Sequence, residues 1–217
     1  MPFTSIQART DAVDAILTKA PVVPVIAIQH LDDAIPLARA LVQGGLPVLE
    51  ITLRTEAALP AMRAIAEAVP GAIVGAGTVL NPDDLHNVVA TGAQFAISPG
   101  ATEALYQAAA GIDMPWIPAI ATASELMQGL THGHRRFKFF PAESAGGVAA
   151  LKSLHGPFPQ AKFCPTGGID PAKAPAYLAL PNVITIGGSW MLPADALASR
   201  DFARIEALAR ATAAIRG

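Results

Sequence analysis

The stretch Val48-Leu-Glu-Ile-Thr-Leu-Arg54 has the alternation of a β-strand that is enclosed on both faces. Its odd-numbered positions from 49 to 53 are aliphatic, which is typical of a strand face packed under helices. Its even-numbered face carries Glu50, Thr52 and Arg54, and charges on an enclosed face are costly unless they are paired or used. The stretch therefore predicts a buried strand of an α/β sheet with functional side chains pointing inward.

Seven other short apolar runs accompany this one along the chain. The eight predicted strands are Val22–Ile28, Pro47–Leu53, Ile73–Thr78, Phe95–Ser98, Trp116–Ile120, Arg136–Phe140, Lys162–Thr166 and Val183–Ile186. Amphipathic segments with helix-start signals, such as Asn81-Pro82 and Asp170-Pro171, lie between them. The spacing of about 20 to 26 residues accommodates one helix and two short loops between parallel neighbours.

Eight strand–helix repeats predict a (β/α)8 TIM barrel. Amphipathic segments at Ile6–Lys19 and Asp201–Arg216 flank the repeats, so we expect an extra N-terminal helix and a single domain over residues 1–217. The competing architecture is a doubly wound open sheet, whose dinucleotide-binding version needs G-x-G-x-x-G at its first strand-to-helix turn. That turn reads Gln29-His-Leu-Asp-Asp33 here, which favours the barrel.

The composition excludes several classes of function. Of the 217 residues, 52% are hydrophobic and only 15% are charged, against roughly 25% charged in ordinary soluble domains. The most apolar run, Val22–Ile28, is too short to span a membrane and begins too late for a signal peptide, so we expect a cytoplasmic protein without a membrane partner. A net charge of −2 offers no basic face for nucleic acid. The single cysteine, Cys164, has no partner for an intrachain disulfide and is expected to be a buried apolar side chain.

Lys138 is the first candidate for chemistry. With Phe137 and Phe139 facing outward under the helices, Lys138 points into the barrel. Burial disfavours the ammonium form and makes the free amine available for Schiff-base formation. From this strand alone, a structural ion pair with Glu50 explains the lysine equally well.

Two glycine pairs follow the last two predicted strands. Gly167-Gly168 precedes Asp170-Pro171, and Gly187-Gly188 precedes Ser189. Paired glycines let backbone N–H groups approach an anion, and the last two loops of such barrels often bind phosphate. Their presence on adjacent loops favours a phosphate site over ordinary turns.

Hydroxyl groups and histidines complete the candidates. Thr78 and Ser98-Pro99 close the third and fourth predicted strands, where they serve as turn residues or line the pocket rim. His132 and His134 lack the neighbours of a zinc site, so we expect solvated histidines and no metal.

Together these segments resemble the bacterial 2-keto-3-deoxy-6-phosphogluconate (KDPG) aldolases, which also act as 4-hydroxy-2-oxoglutarate (KHG) aldolases. The matching segments, which span nearly the whole chain, are Val22–Val25, Val48–Thr55, Ile73–Val79, Phe95–Gly100, Phe137–Glu143, Phe163–Ile169 and Ile186–Trp190.

The resemblance implies a (β/α)8 barrel that assembles as a homotrimer and cleaves a phosphorylated keto-deoxy sugar acid without metal or other cofactor. It implies that Lys138 is the Schiff-base lysine and Glu50 the general acid/base. The substrate-binding residues it implies are Arg54 and Thr78 at the pyruvyl carboxylate, Pro99 and Phe140 in the pocket wall, Thr166 as a substrate-facing hydroxyl, and Gly167, Gly168 and Ser189 in the phosphate loops.

The chain departs from the family pattern at two places. Pro118-Ala119 replaces the usual Pro-Gly, and the added methyl group would narrow the pocket floor; Ser144-Ala145-Gly146 replaces the common Ala-Asn-Gly. Three other functions stay open: a phosphate-binding isomerase or epimerase, a catalytically silent sugar-phosphate binding barrel, and the related aldolase for 2-keto-3-deoxy-6-phosphogalactonate.

Overall fold

Short strands alternate with helices along the chain in the computed structural model, which describes residues 3–215. The strands are β1 (Val22–Ile26), β2 (Val48–Thr52), β3 (Ile73–Gly77), β4 (Phe95–Ile97), β5 (Trp116–Ile117), β6 (Ala119–Ile120), β7 (Arg136–Phe139), β8 (Lys162–Pro165) and β9 (Ile186–Gly188). The helices are α1 (Ile6–Leu17), α2 (Ala34–Gln43), α3 (Ala58–Ala68), α4 (Pro82–Val89), α5 (Glu103–Ala110), α6 (Ala123–Thr131), α7 (Gly147–His155), α8 (Ala174–Leu178), α9 (Ala194–Ala198) and α10 (Phe202–Ala213). Arg216, which ends the last predicted amphipathic segment, and the two ends of the predicted domain 1–217 lie outside the described residues.

The strands pair in parallel and curl into a half-barrel. One sheet has the order β5-β4-β3-β2-β1-β9, and a second has the order β6-β7-β8. Isolated parallel bridges, Phe163 to Val183 and Thr166 to Gly187, connect β8 with the segment that contains β9. The predicted parallel α/β class is confirmed. Neighbouring strands within each sheet are consecutive along the chain except for β1 and β9.

The fifth predicted strand is divided in two. Pro118 separates β5 from β6, because proline has no N–H group to donate to a ladder. β5 pairs with β4, and β6 pairs with β7. The Lys138 N–H group donates to the Pro118 carbonyl oxygen at 3.0 Å, so the interruption does not separate this segment from β7.

The last predicted strand, Val183–Ile186, was placed too early. The observed β9 begins at Ile186 and continues through both glycines, which pair with Val23 and Pro24 of β1. Gly187 is required by close packing, because a Cβ atom there would lie 2.2 Å from the Thr166 hydroxyl oxygen. The sequence predicts this pair in the loop after the strand, whereas the structure includes it in the strand.

Two apolar cores surround the strands. The larger one lies between the strands and the outer helices, and it includes Leu49 and Ile51 of β2. The smaller one joins inward-facing strand residues such as Val23 and Val48 to Val13 and Leu17 of α1. α1 therefore packs against the strand interior, and the Asp14 carboxylate accepts two hydrogen bonds from the Arg136 guanidinium at 2.5 and 2.6 Å.

Enclosure of the strands explains the low charge of the chain. All five positions of β2 are buried, and the inner and outer faces of the sheet are both covered. Within residues 3–215, no helix combines the length and apolarity needed to cross a bilayer.

Candidate functional site

A buried ion pair joins the inner faces of β2 and β7. The Lys138 ammonium nitrogen Nζ donates to Glu50 Oε1 at 2.9 Å. The lysine and glutamate side chains are 7% and 1% exposed. Strand alternation produces this contact, because Phe137 and Phe139 occupy the outer core while Lys138 lies between them and faces inward.

Glu50 is only partly satisfied by this pair. Its second carboxylate oxygen, Oε2, is buried and has no hydrogen-bond partner within the described part of the chain. An orphaned buried polar atom costs roughly 1–3 kcal/mol, more when charged, which argues against a pair kept for stability alone. A carboxylate with one free oxygen beside an amine is suited to moving a proton to or from a third group.

Gly77 lies directly beside Glu50, and Thr78 is the next residue along the chain. A Cβ atom at Gly77 would come within 2.3 Å of Glu50 Oε1, so the carboxylate occupies the space that glycine leaves. Thr78 follows in the left-handed region at φ 61°. This conformation costs a β-branched residue about 1–3 kcal/mol, and such strain is concentrated at functional sites.

Arg54 is positioned through Thr52 and lies outside the strand. β2 ends at Thr52, so the prediction that Arg54 continues the inward face was wrong: it lies in the following turn and is exposed. Its Nε donates to Thr52 Oγ1 at 3.0 Å, and Thr52 Oγ1 donates to the Ile26 carbonyl oxygen at 2.9 Å. The guanidinium is thereby fixed at the C-terminal edge of the sheet, near the end of β1.

The loop that follows β8 and the loop that follows β9 lie side by side. The bridge between Thr166 and Gly187 brings the ends of β8 and β9 together, and Ser189 is exposed just beyond. Gly167 and Gly168 have φ values of 109° and 76°, a region that side chains other than glycine rarely adopt.

The helix predicted to start at Asp170-Pro171 begins later. α8 starts only at Ala174, because the Asp170 carboxylate oxygen Oδ1 accepts hydrogen bonds from the N–H groups of Ala172 and Lys173 and holds a turn first. The partial positive charge of the helix N-terminus therefore lies further from the Gly167-Gly168 loop than the sequence predicts.

Phe140 and Pro99 lie at the ends of their strands. The Phe140 ring centroid is 5.4 Å from Lys138 Nζ, a distance suited to a cation–π contact. Pro99 is half-buried after β4, next to Ser98, whose buried hydroxyl has no partner within residues 3–215.

A cavity of about 500 Å³ lies at the same edge, between the end of β1 and α9. Its lining is mostly apolar, with side chains such as Ile26, Leu37 and Leu197. The polar residues of the lining are Gln29, His30, Asp33, Arg54 and Ser189. Lys138 and Glu50 do not line it. Of the ten predicted residues, two line this cavity, Arg54 and Ser189. Three are buried, Lys138, Glu50 and Thr166, and the other five are partly buried or exposed near the strand ends.

Three neighbours of the buried pair are not among the predicted site residues. The sequence predicts Thr52 on the inward face, but only the structure shows that its hydroxyl group holds Arg54. Ala119 and Cys164 are the strand partners of Lys138 in the register. Cys164 is buried as predicted, and burial raises the pKa of its thiol to about 12 although Lys138 acts in the opposite direction.

The expectation of solvated histidines was wrong for His134. Its ring is 4% exposed and packs against Tyr106 and Trp116. Burial lowers the pKa of His134 to about 3, with smaller contributions from Arg9, His132 and Arg135. Residues 3–215 contain no group of three or more His, Cys, Asp or Glu side chains arranged to hold a metal ion.

A family model and several known proteins match most of the chain. The chain matches the family model for KDPG and KHG aldolase over residues 13–208. It is 60% identical over 197 residues to the KHG/KDPG aldolase of Escherichia coli K12, covering 91% of this chain and 92% of that protein. It is 59% identical over 197 residues to the 2-dehydro-3-deoxy-phosphogluconate aldolase of Dickeya dadantii, covering 91% and 92%.

A solved structure has the same fold. The KDPG aldolase of Legionella pneumophila, crystallised with pyruvate captured as a covalent carbinolamine intermediate, superposes with a TM-score of 0.91 at 48% identity. The match covers 93% of this chain and 98% of that one. The family model and these relatives each cover about nine-tenths of the chain, and the chain belongs to the KDPG and KHG aldolase family.

Proposed function

We propose that this chain is a Schiff-base aldolase that cleaves KDPG to pyruvate and D-glyceraldehyde 3-phosphate, and KHG to pyruvate and glyoxylate. The observation that carries the proposal is the 2.9 Å contact between the buried groups Lys138 Nζ and Glu50 Oε1. It brings together the two groups that retro-aldol chemistry needs, a nucleophilic amine and a carboxylate that moves protons. The names of the relatives supply the substrate class.

In the first step the Lys138 amine attacks the C2 carbonyl carbon of the substrate. Glu50 accepts the proton that leaves the ammonium group, since its Oε1 already contacts Nζ. The attack gives a carbinolamine, and Glu50 returns its proton to the hydroxyl group, which leaves as water and gives an iminium ion. The positive nitrogen then provides a sink for the electron pair that cleavage releases.

Cleavage breaks the bond between C3 and C4. Glu50, directly or through one water molecule, removes the proton from the C4 hydroxyl, and the aldehyde forms as the bond's electrons move to C3. The resulting enamine is protonated at C3, and hydrolysis of the iminium releases pyruvate and restores the Lys138 amine. The Oε2 atom of Glu50 supports this role because no donor among the described residues occupies it.

The rim residues hold the two charged ends of the substrate in this proposal. Arg54 binds the pyruvyl carboxylate with its planar guanidinium, and Thr78 adds a hydroxyl group. Thr166 faces the substrate chain, while Pro99 and Phe140 form the pocket wall. Gly167, Gly168 and Ser189 receive the phosphate, which the adjacency of their loops supports.

The same proposal includes the finer architecture. We infer a closed (β/α)8 barrel as a single domain with α1 as its extra N-terminal helix, assembled as a cytoplasmic homotrimer without metal or other cofactor. The bridges between β8 and β9 and the packing of α1 against the strand interior support the closed form.

Pyruvate release tests the function. The purified chain is given KDPG, KHG and 2-keto-3-deoxy-6-phosphogalactonate, and lactate dehydrogenase with NADH reports the pyruvate. We expect cleavage of KDPG and KHG, with KDPG preferred over its C4 epimer, and no loss of rate in EDTA. A faster reaction with the galactonate epimer would assign the related aldolase instead. No pyruvate from any of them would refute the proposal, and activity lost to EDTA and restored by a divalent metal would indicate a metal-dependent aldolase.

A further inference from the structure

A polar cluster outside the proposed reaction centre connects the loop after β7 with the glycine loop after β8. The cluster consists of Glu143, Lys173 and Tyr177, and we call it the Glu143 cluster. Lys173 Nζ donates to Glu143 Oε2 and to the Gly168 carbonyl oxygen, both at 2.9 Å. The Tyr177 hydroxyl donates to Glu143 Oε1. One carboxylate thus anchors a lysine that in turn holds the glycine loop.

Glu143 also holds this loop through its backbone and its bulk. Its N–H group donates to the Gly167 carbonyl oxygen at 3.1 Å. Its side chain packs so closely on Gly168 that a Cβ atom there would lie 2.8 Å from Glu143 Cγ. The loop is therefore fixed from the β7 side by a main-chain bond, a steric contact and, through Lys173, a charge-assisted bond.

Both ionic members of the cluster are charged at neutral pH. The hydrogen bond from Tyr177, followed by that from Lys173, lowers the pKa of Glu143 below its usual range. The hydrogen bond to Glu143 raises the pKa of Lys173. Burial raises the pKa of Tyr177, which keeps its hydroxyl group a donor. None of these groups contacts Lys138 or Glu50 in the hydrogen bonds and ion pairs among residues 3–215.

The cluster connects two ends of the proposed site. Glu143 lies five residues after Lys138 on the chain, and the Ala142 N–H group donates to the Thr166 carbonyl oxygen at 2.8 Å. The position of the glycine loop relative to the strand that carries Lys138 therefore depends on contacts made by residues 142 and 143.

We propose that Glu143 and Lys173 are positioning residues that set the Gly167–Gly168 loop for the phosphate end of the substrate. They determine how strongly the enzyme prefers a phosphorylated keto-deoxy sugar acid over KHG, which has no phosphate. This inference rests on the proposed function and deepens it.

The test compares the two substrates in Lys173→Met, Glu143→Gln and Tyr177→Phe. Lys173→Met removes the bonds to Glu143 and to the Gly168 carbonyl oxygen, Glu143→Gln removes the carboxylate charge, and Tyr177→Phe removes the hydroxyl donor. Lys152→Met is the matched control because Lys152 is an exposed lysine on α7. Loss of a charge-assisted hydrogen bond that orders the loop should lower the ratio of kcat/KM for KDPG to kcat/KM for KHG roughly tenfold in Lys173→Met. The change should appear in KM for KDPG rather than in kcat, and Lys173→Arg should restore much of it. Inorganic phosphate serves as a second probe, and its inhibition constant should rise in the same variants.

Three results would contradict the inference. An unchanged substrate ratio and an unchanged phosphate inhibition constant in both Lys173→Met and Glu143→Gln would refute the positioning role while leaving the aldolase function intact. Equal losses on both substrates, with a lower melting temperature, would assign the cluster a purely structural role. A wild-type chain that cleaves neither substrate would overturn the proposed function and this inference with it.

Discussion

Lys138→Met tests whether the Lys138–Glu50 contact behaves as a buried ion pair. Methionine has nearly the shape of the lysine stem but removes the ammonium group, so Glu50 is left at 1% exposure with neither carboxylate oxygen partnered. Removing one member of a buried pair costs about 3–5 kcal/mol, a large part of a typical total of about 5–15 kcal/mol. The double variant Lys138→Met/Glu50→Gln removes both charges and should recover at least about 2 kcal/mol of that loss.

Urea unfolding followed by circular dichroism, at one fixed protein concentration, measures these differences. With an m value of about 2–3 kcal/mol/M, a loss of 4 kcal/mol would lower the midpoint by roughly 1.5 M. The surface control Lys152→Met should stay within about 0.5 kcal/mol of wild type. A loss below about 1 kcal/mol in Lys138→Met, or a double variant no more stable than Lys138→Met, would refute the reasoning.

Three further predictions concern the surroundings of the pair. Gly77→Ala should lower kcat at least tenfold, because the new Cβ displaces the Glu50 carboxylate. The control Gly156→Ala should leave kcat unchanged, because no atom lies within 4 Å of the new Cβ. Equal kcat values for the two variants in steady-state assays would contradict this prediction. Thr78→Gly should raise the free energy of unfolding in urea by about 0.5–2 kcal/mol, because glycine adopts the positive φ without strain, and it should also raise KM. A lower free energy of unfolding would contradict the claim that Thr78 is strained. His134 has a folded pKa of about 3, below its unfolded value near 6.5, so the unfolded state gains a proton first and stability falls as pH falls through 6.5. Between pH 6.5 and 5 this loss is about 1.6 kcal/mol, and a parallel pH profile in His134→Phe would contradict it.

The parallel α/β class and the buried Lys138–Glu50 pair could both be predicted from the sequence. Alternation in β2 and β7 distinguishes inner from outer faces, so the contact between Glu50 and Lys138 follows once the two strands share one interior. The alternation does not define where a strand ends. For this reason the sequence predicts Arg54 on the inward face of β2, whereas the strand ends at Thr52 and Arg54 lies in the turn that follows.

Other features depended on packing between distant segments. The sequence around Gly187 is typical of a turn. Glycine is needed there within a strand because the Thr166 side chain packs directly against it. His134 has a polar side chain, but it is buried against Tyr106 of α5 and Trp116 of β5. The Glu143 cluster joins residues about thirty positions apart, a separation that produces no periodic signal in the sequence.

Trapping with pyruvate and borohydride tests the central claim most directly. The purified chain is incubated with pyruvate, reduced with sodium borohydride, digested and analysed by mass spectrometry. The mechanism predicts one irreversible adduct, in which the reduced imine adds the carbon skeleton of pyruvate to the peptide that contains Lys138, and no adduct in Lys138→Met. An adduct on another lysine, or none on the wild-type chain, would contradict the assignment of Lys138 as the Schiff-base residue.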